Sequence, residues 1–145
     1  MYATLQEGKG RLKGFFEQLY ADETAQGGVN EADALIDLEA AAAEIDGSAA
    51  VRYVTPVTAV ASQPLLKNWE LTIFEELAWR RNAQGKTPEN VKDRVKEVRK
   101  QLERLAKKEL VLKGAAELSG SSSIGGAVIV SSTKPVFKRE QMSGF

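Results

Sequence analysis

The chain has no cysteine and no histidine. Disulfides, thiol nucleophiles and imidazole acid–base chemistry are therefore excluded, as are zinc sites built on those residues. A carboxylate-only metal site stays open, but no EF-hand spacing is present. No charge of either sign dominates. The 20 basic and 20 acidic residues give a formal net charge of zero, which argues against a domain built for bulk attraction to nucleic acid or membrane. Apolar runs long enough to cross a bilayer are missing. Charged residues and glycines from Glu7 to Lys13 interrupt the start, so no secretory leader is expected. The chain is expected to work in a cytoplasm, or in a particle assembled there.

Catalytic patterns are missing too. Gly8-Lys9-Gly10 lacks the spacing and the Lys-Ser/Thr ending of a phosphate-binding loop. Ser121, Ser122 and Ser123 have no histidine to activate a hydroxyl, and no nucleophile elbow is present. The many carboxylates fall on regular helix faces, with no acid–base pair singled out. An enzyme is not expected, nor any cofactor or metal.

What the chain does contain is helical periodicity. At 145 residues it suits one domain with a modest core. Met1–Thr4 reads as an extended lead-in. A short helix is expected from Arg11 to Ala21, with Phe15 and Phe16 as core or interface anchors; Gly8, Gly10 and Gly14 weaken any helix further upstream. Gly27-Gly28 marks a turn.

Asn30 is then a good N-cap, with Glu31 and Asp33 placed to favour the positive end of the helix dipole. Leu35, Leu38, Ala41, Ala42 and Ile45 form an apolar stripe. The opposite face carries Glu31, Asp33, Asp37, Glu39, Glu44 and Asp46 with no basic residue between them. That face reads either as a solvated surface or as a dock for a basic neighbour. The helix is expected to reach about Arg52, with Gly47 as a weak point, and Thr55-Pro56 stops it.

Ser62 is the expected cap of the next helix, with Pro64 in its first turn and Gly85 past its end. Leu65, Leu66, Trp69, Ile73 and Leu77 follow the helical step, and Trp69, Phe74 and Trp79 make this the most aromatic segment. Core packing is the favoured reading, over a stacking platform for single-stranded nucleic acid.

Thr87-Pro88-Glu89 starts a further helix, with Thr87 as the cap. Val91, Val95, Val98, Leu102, Leu105 and Ala106 form its stripe, reaching to about Glu109. Its outer face holds Lys92, Lys96, Arg99 and Lys100 among other bases, interrupted by acids such as Asp93 and Glu103. Pairs Asp93–Lys96 and Glu103–Lys107 are expected to add a few tenths of a kcal/mol each. A helix of opposite charge suits this face, and Asp37, Glu39, Glu44 and Asp46 supply one, within a subunit or across a subunit boundary.

Gly114 ends the helical region. The segment from Ser119 to Gly126 is rich in Ser and Gly and reads as a link. Ala127–Val130 is a strand candidate, followed by Lys134-Pro135, then Val136 and Phe137, then a polar tail holding Met142 and Phe145. A lone short strand is unstable in water, so this arm requires a partner: itself as a hairpin, the body, or the sheet edge of another protein. The fold class expected is all-α. It is a small bundle of three to four helices over residues 1–114, with an extended C-terminal arm over 115–145 containing a short β segment.

Several stretches carry a resemblance. "ALIDLEAAAAEIDGSAAVRYVTPV" ends an amphipathic helix in Arg52-Tyr53 and then Pro56; "LLKNWELTIFEELAWRR" follows, then "VRKQLERLAKKELVL" and a tail "VFKREQMSGF". With the opening Met1-Tyr2-Ala3-Thr4, this order resembles the Mu-like phage gp36 family of head-to-tail joining proteins. The acidic, Gly-interrupted N-terminal segment and the Ser/Gly link near Ser121 depart from it.

The resemblance implies a structural virion protein at the head–tail interface. It forms a ring, usually of twelve copies, beneath the portal protein, where it extends the DNA channel and presents a surface to a neck, tail-terminator or tail protein. It implies passage of DNA without sequence-specific recognition, no membrane partner, and a C-terminal arm reaching toward the portal. Ile124, Val128, Ile129, Val130, Val136, Phe137, Met142 and Phe145 are the arm residues expected to dock. Arg52, Tyr53, Pro56 and Trp69 are expected to be structural. The alternative is a helical nucleic-acid-binding regulator using the basic face of the 88–109 helix.

Overall fold

The computed structural model describes residues 1–22, 27–81 and 86–119. It is all-α: a broken N-terminal helix and three long helices, and among the described residues only two isolated β-bridges. Helix α1 is Leu5–Leu12, followed by a 3-10 turn at Lys13–Phe15 and the short α2, Phe16–Leu19. The long helices are α3 (Glu31–Ala49), α4 (Gln63–Arg81) and α5 (Glu89–Ala106). Helix α4 lies at the centre, packed against α1, α2, α3 and α5, and one apolar core runs through all of them.

The first helix corrects the expectation of a helix over Arg11–Ala21. It begins at Leu5 because Thr4 and Glu7 form a capping box. The Thr4 hydroxyl accepts from the Glu7 N–H, and the Glu7 carboxylate accepts from the Thr4 N–H at 2.8 Å. Gly8, which weakened the helix in the sequence, is required by packing: a Cβ there would lie 2.9 Å from Cε1 of the buried Phe74 ring. The helix breaks at Lys13, whose φ is +51°. Beyond the break, Phe16 is buried and Phe15 is exposed.

Asn30 caps α3 as expected, accepting from the Asp33 N–H at 3.1 Å. The helix passes through Gly47 and stops at Ala49, short of Arg52. Its buried stripe is Ala34, Leu38, Ala41, Ala42, Ile45 and Ala49, while Leu35 sits at the exposed margin. Ser62 precedes α4, but its hydroxyl donates to the Lys113 carbonyl at 2.9 Å, so it ties the start of α4 to the segment after α5. Pro64 is in the first turn.

Helix α5 buries Val91, Val95, Val98, Leu102 and Leu105, with Ala106 half-buried. Its N-cap is Pro88 rather than Thr87. It ends at Ala106, earlier than Glu109, where Lys108 turns to φ +62° and the Glu109 N–H folds back to the Arg104 carbonyl. Gly114, at φ +76°, belongs to a later turn. Gly85 and the strand candidate Ala127–Val130 lie outside the described residues.

Two substitutions test the packing of α1. Gly8→Ala gains helix propensity of roughly 1 kcal/mol but forces the enclosed Phe74 ring to move, at a cost of about 1–3 kcal/mol. Gly10→Ala meets open space and keeps only the gain. Urea midpoints should therefore move in opposite directions, down for Gly8→Ala and up for Gly10→Ala.

Candidate interaction surfaces

The N-terminus is built into the core. Fully buried Glu70 on α4 accepts from the backbone N–H groups of Tyr2 and Ala3 at 2.6 and 2.5 Å, both on Oε2. Its Oε1 is buried without a hydrogen-bond partner. Tyr2 extends the same clasp: its hydroxyl donates to Asp46 on α3 and accepts from the Val57 N–H at 3.1 Å. Burial raises the Glu70 pKa against the pull of those two N–H donors. Burial, then the bond to Asp46, also pushes the Tyr2 phenol upward. The sequence had singled out neither Glu70 nor Tyr2, because a glutamate among exposed-type charges on an aromatic helix carries no mark of burial.

At the other end of the chain, the Arg52–Tyr53 corner meets the segment after α5. The Val54 N–H donates to the Ala116 carbonyl and the Leu118 N–H to the Arg52 carbonyl, each at 2.9 Å, around an antiparallel bridge of Tyr53 and Glu117. The Tyr53 side chain is buried, and its hydroxyl accepts from the Leu112 N–H at 3.0 Å. The Arg52 guanidinium pairs with Glu117 at 2.7 Å. Pro56 lies in the loop just beyond. The first residues of the arm, Ala115–Leu118, therefore run along the body. Exposed aliphatic side chains in the loop after α3 and the segment after α5 include Val51, Val54, Val60 (86% exposed) and Val111 (63%). The expected docking residues Ile124, Val128, Ile129, Val130, Val136, Phe137, Met142 and Phe145 lie outside the described residues.

The charged faces divide into engaged and open groups. Asp37 is buried, accepting from the Tyr20 hydroxyl at 2.8 Å and from Arg81 at 2.5 Å. Burial, then Asp37, raises the Tyr20 pKa. Asp46 holds Tyr2. Arg99 reaches Glu44 on α3 at 2.8 Å and lies 2.8 Å from the buried Glu76 of α4. The latter is a charge contact, the hydrogen bond itself running from Arg99 Nη1 to Glu76 Oε1 at 3.3 Å. These bonds raise the Arg99 pKa, Glu44 first. Lys92 pairs with Glu89, Lys107 with Glu103, and Arg94 with Glu75. The expected Asp93–Lys96 pair is not formed. Glu39, Lys96 and Lys100 are exposed and make no ion pair among the described residues. Trp69 is buried, its indole N–H donating to Gln101 at 2.9 Å.

A groove runs along the side of α4 away from α3, walled by α1 and α5. Two adjoining hollows of about 460 and 350 Å³ share Arg11 and Arg94. Both guanidiniums converge on Glu75, at 3.1 and 2.9 Å. Phe15 and Trp79 stand together at one end with ring centroids 5.1 Å apart. Sequence periodicity had not joined Phe15 to Trp79, since a bend at Lys13 separates Phe15 from α1.

Among the described residues there is no cluster of carboxylates that could hold a metal ion, and no helix long and apolar enough to cross a membrane. Fold and surfaces define a small all-α body with most of its charges engaged inside the chain and a few charged and apolar patches left open. The family model described as Bacteriophage Mu, Gp36 matches residues 2–130, and the chain belongs to that phage-protein family. No curated protein matches it.

The Glu70 clasp is open to test. Glu70→Ala leaves two buried N–H groups without an acceptor and should cost about 3 kcal/mol at neutral pH. Glu70→Gln keeps an acceptor and should cost less. Because the folded-state pKa of Glu70 is raised, the folded protein holds that proton more tightly than the unfolded chain. Its contribution therefore becomes more favourable as pH falls through the raised value toward the unfolded value near about 4.3. The stability of wild type relative to Glu70→Gln should rise as the pH is lowered from neutral toward that unfolded value in paired urea titrations.

Proposed function

We propose that this chain is a structural virion protein, a head-to-tail adaptor that assembles as a ring of twelve copies beneath the portal. In that role it extends the DNA channel and joins the head to the neck, tail terminator or tail. The reading needs no catalysis and no cofactor. It rests on the family, together with one feature of the structure: the pairing of Ala116–Leu118 with Arg52–Val54. That pairing ties residues 116–118 to the body next to the exposed Val51 and Val54, just before the segment expected to dock. An isolated antiparallel bridge of this kind suits extension by strand addition to a second protein. Within the ring, Glu39, Lys96 and Lys100 are the expected inter-subunit charges that remain open, whereas Asp37, Asp46 and Arg99 are engaged inside one chain.

The nucleic-acid reading of α5 is the weaker one. Five of its basic side chains, or bases just past its end, already face acids of the same chain: Lys92, Arg94, Arg99, Arg104 and Lys107. Such pairs leave little free positive charge for phosphates, so steep salt-dependent DNA binding by the free chain is not expected.

The adaptor reading is tested by capturing the portal protein of the same phage on immobilised full-length chain and on chain lacking residues 119–145. Retention by the full chain and loss on removing the segment is the expected result. Equal retention would take the arm out of the mechanism, and no retention by either form would count against the adaptor role.

A further inference from the structure

Two apolar surfaces of this chain have no partner among the described residues, and they lie on opposite sides of the molecule. One is convex. The residues of α3 that pack inward are Ala34, Leu38, Ala41, Ala42 and Ile45. At 100° per residue, Ile36, Glu39 and Ala43 then project away from the body. Ile36 is 56% exposed, and Leu35 lies beside it at the margin of the same face. Ala40 and Ala43 are exposed and short, so another surface can approach this helix closely. Glu39 is the acid on that face with no cation beside it.

The other surface is concave: the groove between α1 and α5, on the far side of α4 from α3. Phe15, 51% exposed, and Trp79 form its apolar end. Arg11, Lys13 and Arg94 line it against the carboxylates of Glu75 and Glu97, a local excess of one positive charge. Glu75 cannot neutralise both guanidiniums that share it, so each keeps donors for a further acid.

We infer that the outward face of α3 in one copy seats in the Phe15–Trp79 groove of the next, with Ile36 against the aromatic pair and Glu39 toward Arg11 and Arg94. The occupant is a second copy of this chain because both halves of the match are on it. An aliphatic ridge bearing one unpaired acid meets an aromatic hollow bearing surplus positive charge, and each exposes apolar surface that water disfavours. Ridge and groove are different patches on opposite sides, so the contact is heterologous and repeats head to tail. Repetition of that kind closes into a ring when the rotation per copy allows it. Only the closure rests on the adaptor reading; the contact is a property of the free chain. It gives the ring an apolar lateral contact, in which Glu39 meets the groove cations rather than the outer face of α5.

The experiment uses full-length chain and two charge-bearing variants, Ile36→Arg and Phe15→Glu, both at exposed positions, with Ala43→Arg as a second block on the ridge. Folding of each is checked by circular dichroism and thermal melting. Sedimentation equilibrium is run up to about 1 mM, a concentration at which even weak contacts register. Wild type should self-associate, and each variant alone should associate at least tenfold more weakly. Mixing Ile36→Arg with Phe15→Glu should restore one contact per pair, giving dimers that grow no further, because one variant keeps its groove and the other its ridge.

Other outcomes overturn the inference. If Phe15→Glu still associates, the ridge pairs with itself or with something other than the groove. If Ile36→Arg still associates, the groove takes another segment, such as residues 119–145. A wild-type chain that stays monomeric at 1 mM, or a mixture that fails to dimerise, removes the contact altogether. Portal capture reads independently. Capture by Phe15→Glu chain that has lost self-association would keep both proposals, whereas self-association without capture would sink only the adaptor role.

Discussion

The carboxylate of Glu70 is fully buried, and one of its oxygens is held by two backbone N–H groups rather than by a cation. That single constraint draws the N-terminal segment Tyr2–Ala3 into the body, just ahead of α1. It belongs to a row of buried acids on α4. Glu75 is answered by Arg11 from α1 and Arg94 from α5, and Glu76 by Arg80 and by Arg99, which also reaches Glu44 on α3. Removing one cation leaves a largely buried carboxylate short of a partner, at a cost of about 1–3 kcal/mol, held below that of a fully buried pair by the partial exposure of the cations. The helices are thus held in register by the charges of α4 as well as by the apolar core.

This arrangement settles what is left for other proteins. Much of the positive charge of α5 is committed inward or to its own neighbours, so the helix is less basic toward solvent than its composition suggests. Apolar patches remain open beside the charged ones: Val51 and Val54 near the Arg52 corner, the ridge of α3, and the aromatic end of the groove. A member of a phage family with this distribution is suited to contacts made by shape and burial, with a few open charges to set orientation. The corner does one further thing. It pairs Ala116–Leu118 with Arg52–Val54, just past α3, and so ties the segment after α5 to the body.

The three long helices were legible because each carries its own punctuation and period: Asn30 before α3, Pro64 in the first turn of α4, Pro88 at the start of α5, and stripes such as Val91–Val95–Val98–Leu102–Leu105. The start of α1 was also legible in principle, since Thr4 and Glu7 have capping-box spacing, but the glycines outweighed it. Gly8 shows why they should not have. Its missing side chain is answered by Phe74, far along the chain, and helix propensity alone contains no such partner. The α3 stripe was misplaced by one position, at Leu35 for Ala34, because a small alanine can face a crowded neighbour where a leucine cannot.

What the sequence by itself determined was local: the three long helices, the Asn30 cap, the apolar period of each long helix, and a tail that differs in composition from the body. These follow from interactions within a few residues, where spacing and rotamer preference decide. Tertiary structure alone decided which carboxylates are buried, which bases are neutralised, that Arg52 and Tyr53 hold the segment after α5, and that Phe15 meets Trp79. Those outcomes depend on which faces meet across the bundle. The free energy of a charge or a ring is set by the surroundings brought to it from elsewhere in the chain.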